Sequence, residues 1–70
     1  MDPKTSLQEA AARLGTGVPV YSIAESGPDH SKVFIATVTV GLVIAVGEGT
    51  SKKHAEMAAA LDAWTRLTSS

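Results

Sequence analysis

Gly47-Glu48-Gly49-Thr50-Ser51-Lys52-Lys53-His54-Ala55-Glu56 is the stretch on which the reading of the whole chain turns, because residue preference changes within it from strand to helix. Val43-Ile44-Ala45-Val46 precedes it as an apolar run suited to a strand, and Ala55 to Leu67 follows it as a run made almost wholly of helix formers. Gly47 and Gly49 are expected to break the strand, and Ser51 or Thr50 to cap the free N–H groups of a helix that starts at about Ser51. Lys52 and Lys53 then lie in its first turn, where aligned peptide dipoles already carry partial positive charge. Two full charges added there favour a phosphate. The same helix carries Ala59, Ala63 and Leu67 on one side with Ala60 and Trp64 flanking, a small-residue face that permits close approach to a sheet. Two lysines cannot be buried in a small core, so the start of the helix is expected to overhang the end of that sheet.

Upstream, Val20 to Glu25, Lys32 to Val40 and Val43 to Glu48 read as three strands. Tyr21 and Ile23 share one face of the first, and Phe34, Ala36, Val38 and Val40 share one face of the second, with Thr37 and Thr39 turned outward. Gly27-Pro28 and Gly41 mark connections too short for a parallel crossover, so the sheet is an antiparallel meander with one covered face. Asp2-Pro3 reads as N-cap and first residue of an opening helix. Leu7, Ala10, Ala11 and Leu14 form its expected buried stripe, with Thr5, Gln8, Glu9 and Ala12 on the opposite side, and Gly15-Thr16-Gly17 with Pro19 ends it. The expected fold class is α+β: an α-β-β-β-α two-layer sandwich, a three-stranded antiparallel sheet with two helices packed on one face. Tyr21, Phe34 and Trp64 are read as packing anchors of that core, and His54 as solvent-facing.

Seventy residues make one domain, residues 1–70, with one small core and no cysteine to staple it. No apolar run approaches the roughly twenty residues that span a bilayer, and the N-terminus lacks the form of a signal peptide, so no membrane partner and a cytoplasmic location are expected. Six Lys and Arg against seven Asp and Glu give a formal charge of −1. Binding to a polyanion then depends on local charge, since screening acts over roughly 8 Å at physiological salt, and modest strength is expected. His30 and His54 do not make a metal site by themselves, and no nucleophile stands with a base in a recognisable pattern.

Taken together, Asp2-Pro3-Lys4-Thr5-Ser6-Leu7-Gln8-Glu9, Pro19 and Tyr21, Gly27-Pro28-Asp29-His30 with Lys32 and Phe34, and Gly47 and Gly49 before Ser51-Lys52-Lys53 and Ala55-Glu56 resemble the double-stranded RNA-binding domain, in the version found at the C-terminus of bacterial ribonuclease III. The matching pieces are short, but their order extends over about sixty residues. The resemblance implies the same α-β-β-β-α fold and a partner, double-stranded RNA, whose wide minor groove displays 2′-hydroxyls and is read by shape. It implies three contact regions. The first helix lies in one minor groove through Thr5, Gln8 and Glu9, and Glu9 can accept a hydrogen bond from a 2′-hydroxyl. The first loop enters the next minor groove through Pro28, Asp29 and His30, with Lys32 close by. The second helix meets phosphates across the major groove through Lys52 and Lys53, with Ser51 contributing. Glu56 stands where many relatives outside the nuclease branch carry a third lysine.

Under this resemblance the chain is a C-terminal part of a larger nuclease and is not itself catalytic. It needs no cofactor, and Mg2+ belongs to the catalytic domain of the parent enzyme. That domain makes the parent a homodimer, whereas the isolated domain is expected to be a monomer. The expected substrates of the parent are structured precursors of ribosomal and messenger RNA. Two other readings remain open on the residues alone: a free-standing RNA-binding protein, and a protein-interaction domain that keeps the fold without RNA affinity. Finally, Leu42-Val43-Ile44-Ala45-Val46 is apolar on both faces of what is expected to be an edge strand, which provides for weak self-association.

Overall fold

Residues 2–69 are described by the structure, a computed structural model. The elements follow the order α1 (Pro3–Leu14), β1 (Val20–Ser26), β2 (Val33–Val40), β3 (Val43–Gly49) and α2 (Lys52–Thr68). The strands form one antiparallel sheet in the order β1-β2-β3. Lys32 therefore lies one residue before β2 instead of opening it, and β1 and β3 each run one residue further than expected.

Local chemistry accounts for the boundaries. The Asp2 carboxylate accepts the Lys4 N–H at 3.1 Å at the start of α1, with Pro3 in the first helical turn. At the other end Gly15 caps α1, and the Thr16 N–H reaches back to the Ala11 carbonyl at 3.1 Å, the six-to-one bond of a Schellman ending. Between β2 and β3 only Gly41 and Leu42 intervene, because Val40 pairs with Val43. Gly41 has φ +60 while Leu42 does not have a positive φ, which is the pattern of a type II′ hairpin and leaves Leu42 exposed at its tip.

Alternation sends Ala36, Val38 and Val40 of β2 and Ala45 and Gly47 of β3 to the helix side of the sheet. There they meet Leu7 and Ala11 of α1 and Ala55, Ala59, Ala60 and Ala63 of α2 in one cluster, with Tyr21, Ile23, Phe34, Val43, Trp64 and Leu67 partly buried around it. The largest fully buried side chains among the described residues are only Leu7, Val38 and Val40. A core this small holds together by close backbone approach. Gly47 shows how close: a Cβ there would stand 2.2 Å from the Ala59 nitrogen and 2.6 Å from the Ala55 carbonyl oxygen.

That geometry corrects three expectations. Gly47, inside the expected strand, and Gly49, one residue beyond its expected end, do not break it; they pair with Ala36 and Phe34 as members of β3, and glycine is there because α2 lies directly on them. Nor does α2 overhang the sheet. A Cβ on Gly49 would meet the Ala55 nitrogen and the His54 Cβ at 2.7 Å, so the first turn rests on the end of β3, with Ala55 inward and Lys52, Lys53 and His54 outward. Leu14, assigned to the buried stripe of α1, is 51% exposed. The stripe lies one turn earlier, at Pro3, Leu7, Ala10 and Ala11, because α1 docks through its N-terminal turns and its last residue extends past the packed layer. Among the described residues nothing covers the opposite face of the sheet, and on the edge strand β3 it presents Ile44 and Val46.

Candidate nucleic-acid interface

The start of α2 combines capping with unpaired positive charge. Ser51 is extended, at φ −140 and ψ 160, and its Oγ accepts the His54 N–H at 3.1 Å while its carbonyl accepts the Ala55 N–H at 3.0 Å. Thr50 does not serve as the cap. The N–H groups of Lys52 and Lys53 point out of the helix without intrahelical partners, as those of any first turn do. Both side chains are exposed, and among the described residues neither forms an ion pair. By contrast Lys4 pairs with Glu56, Lys32 with Glu25 and Asp29, and Arg66 with Asp62. A chain of net charge −1 thus neutralises most of its other cations internally and leaves an adjacent pair free at a helix N-terminus. His54 is exposed beside them, as expected, with its N–H committed to the cap.

The loop between β1 and β2 is held tightly. The Ser31 N–H donates to the Pro28 carbonyl at 2.9 Å, and Gly27, at φ +91, has no room for a side chain because a Cβ would come within 2.6 Å of the Ser31 carbonyl oxygen. Pro28, Asp29 and His30 are exposed on this turn. Lys32 Nζ lies 3.4 Å from Glu25 and 4.0 Å from Asp29, so it braces the base of the loop in the free protein. Glu25 pairs with Phe34, and Phe34 with Gly49, so the loop leaves the sheet at the end from which the chain enters α2.

On α1, Thr5, Gln8 and Glu9 are all exposed on one side. The Thr5 hydroxyl donates to Asp2 at 3.1 Å, which holds the Asp2 carboxyl below its ordinary value and leaves the lone pairs of Thr5 available. Lys4 next to it was not singled out from the sequence. Its Nζ donates to Glu56 Oε1 at 2.8 Å and sits 4.7 Å from the centre of the Tyr21 ring, joining α1, α2 and β1 at one point. The carboxylate bond raises the Lys4 ammonium above its ordinary value, and burial raises the Tyr21 phenol. The motif Asp2-Pro3-Lys4-Thr5 contained Lys4, but a partner 52 positions away lies beyond any local periodicity.

Exposed donors and acceptors on α1, a rigid turn, and free ammonium groups at a capped helix start can hold a ligand that offers hydroxyls and phosphates at separated places. Among the described residues no cluster of three His, Cys, Asp or Glu is placed to hold a metal ion, and no helix is long and apolar enough to cross a membrane.

Residues 3–67 match the family described as the double-stranded RNA binding motif. Ribonuclease 3 of Leifsonia xyli subsp. xyli is 74% identical over 69 residues, which cover 97% of this chain and 29% of that protein. Ribonuclease 3 of Thermobifida fusca is 54% identical over 68 residues, covering 96% of this chain and 28% of that protein. The chain therefore spans less than a third of the length of these curated relatives. Among solved structures, that of Arabidopsis HYL1, described in relation to miRNA processing, superposes with a TM-score of 0.81 at 32% identity over all of both chains. The solution structure of the second double-stranded RNA-binding domain of DRB4 gives 0.76 at 37% identity over 96% of each.

Proposed function

The chain belongs to the double-stranded RNA binding motif family, and we propose that it binds double-stranded RNA by shape, through 2′-hydroxyl and phosphate contacts, so as to position the catalytic domain of a ribonuclease III. The observation that carries this reading is the free pair Lys52 and Lys53 at the Ser51-capped start of α2, in a chain whose lysines elsewhere are paired. A-form RNA suits such a surface, because its phosphates flank a wide minor groove whose 2′-hydroxyls distinguish it from DNA. In this reading Lys52 and Lys53 take phosphates and Ser51 donates its hydroxyl proton. Thr5, Gln8 and Glu9 meet one minor groove, and Pro28, Asp29 and His30 meet the next. Lys32 exchanges a carboxylate for a backbone phosphate.

Cleavage belongs to the rest of the parent enzyme. We assign it to metal-assisted phosphodiester hydrolysis by carboxylates of a separate, dimeric domain that binds Mg2+, acting in the cytoplasm on structured precursors of ribosomal and messenger RNA. Titration of the chain with an RNA duplex of about 16 base pairs, with the same sequence as single strand, and with the DNA duplex tests the binding reading. Saturable binding to the RNA duplex, weaker on the other two, is the expected result. Equal binding to all three, or to none, refutes it.

A further inference from the structure

Glu56 is a hazard to the proposed phosphate site. It follows Lys52 by four positions and Lys53 by three, the spacings at which side chains on a helix surface meet and form ion pairs. A carboxylate there would neutralise the lysines that the RNA needs. In the structure it does not: its contact is with Lys4 from the other helix, at 2.8 Å, the shortest ion pair among the described residues. Two features favour that choice. A lysine N-terminal to a glutamate is the weaker orientation within a helix, and Lys4 is held in place because its ammonium also lies over the Tyr21 ring. The side chains are 43% and 23% exposed, so this is a surface pair with Glu56 the more shielded partner, and it remains accessible to exchange.

We infer that Lys4 is a positioning residue that sequesters Glu56 and so keeps Lys52 and Lys53 unpaired for phosphate; this rests on the RNA-binding reading above. Lys4 acts through Glu56 and contacts no nucleotide. Glu56, in turn, is more than a missing third lysine. It is an acid whose effect on the clamp is cancelled from 52 positions away.

The test is a double-mutant cycle of Lys4→Met, which keeps the aliphatic stem over Tyr21, and Glu56→Gln, read by duplex RNA affinity at low salt. Lys4→Met is expected to weaken binding by up to about twofold, the scale of ion pairs at these helical spacings, and to make the salt dependence shallower. Glu56→Gln is expected to bind as well as the parent or better, and the double variant to match Glu56→Gln. A Lys4→Met loss that persists undiminished in the Glu56→Gln background would make Lys4 a direct phosphate ligand and overturn the inference. A lower melting temperature with affinity unchanged would reduce the pair to a structural brace and overturn it equally. An RNA-free measurement separates this inference from the function it rests on. A crystal structure of Lys4→Met is expected to show the Glu56 carboxylate turned to Lys52 or Lys53. If the parent does not bind duplex RNA, the functional reading fails; if Glu56 stays away from both lysines in Lys4→Met, the sequestration fails on its own.

Discussion

Replacing Lys52 and Lys53 together by alanine separates binding from folding more cleanly than any other change in this protein. Both side chains are exposed, neither has an ion-pair partner among the described residues, and the inward position of their turn is filled by Ala55. Nothing that holds α2 against β3 is removed. Positive side chains in a first turn also oppose the helix dipole, each by about 0.3–1 kcal/mol when exposed. The double variant should therefore melt no lower than the parent and, since 1 kcal/mol corresponds to roughly 4–8 °C in a domain of this size, higher by roughly 2–16 °C when both charges are removed. Duplex RNA affinity should fall by roughly 1–3 kcal/mol, the range of charge-assisted contacts partly repaid by water. That is about five- to 150-fold at 25 °C. Each lost phosphate contact should also flatten the log–log salt dependence by about one unit, from an expected slope of roughly −2 to −4. Fluorescence anisotropy with a labelled duplex at several salt concentrations, paired with thermal melts by circular dichroism, reads all three quantities. Unchanged affinity and slope would refute the phosphate clamp. A loss of affinity that tracks a loss of melting temperature would show that the lysines had been misread as free.

Glu9→Gln and Gln8→Ala are expected to narrow the preference for duplex RNA over duplex DNA, because the lost partners are contacts to 2′-hydroxyls, with Thr5→Val a weaker version; parent-like discrimination in competition binding would leave this face of α1 merely solvated. Gly47→Ala should destabilise the fold by about 3 kcal/mol or more, at the top of the overpacking range, since the new methyl meets backbone atoms of α2 that cannot rotate away; an unchanged melting temperature would contradict the close contact. Leu42→Lys at the hairpin tip, or Ile44→Lys on the outward face of edge strand β3, is expected to reduce concentration-dependent association without weakening RNA binding. Sedimentation of the parent as a strict monomer at millimolar concentration would dispose of pairing through that edge.

Within single elements, the amino-acid sequence by itself determined most of this protein. Asp2-Pro3 and Ser51 specify helix starts through their own side chains, Gly15 specifies an end, and the period-2 pattern of Phe34, Ala36, Val38 and Val40 specifies both a strand and its buried face. Order and short connections then leave an antiparallel meander with both helices on one side. The candidate contact residues were legible for the same reason, since Lys52-Lys53, Gly27-Pro28-Asp29-His30 and Thr5, Gln8 and Glu9 are each contiguous or on one turn of helix.

What only the tertiary structure decided are relations between elements. The glycines at 47 and 49 read locally as strand breakers and are strand members, because the reason for glycine lies in Ala55 and Ala59 of another element. Leu14 satisfies the helical period yet is exposed, because periodicity gives the direction of a side chain and not whether anything is packed beneath it. The sequence places Lys32 close to the loop, but only the fold brings it to Glu25 across a turn. Lys4 and Glu56 lie 52 positions apart, and only the packing of α1 against α2 brings their charges to 2.8 Å. Local propensity acts over a few residues, whereas this contact depends on where two helices come to rest on one sheet.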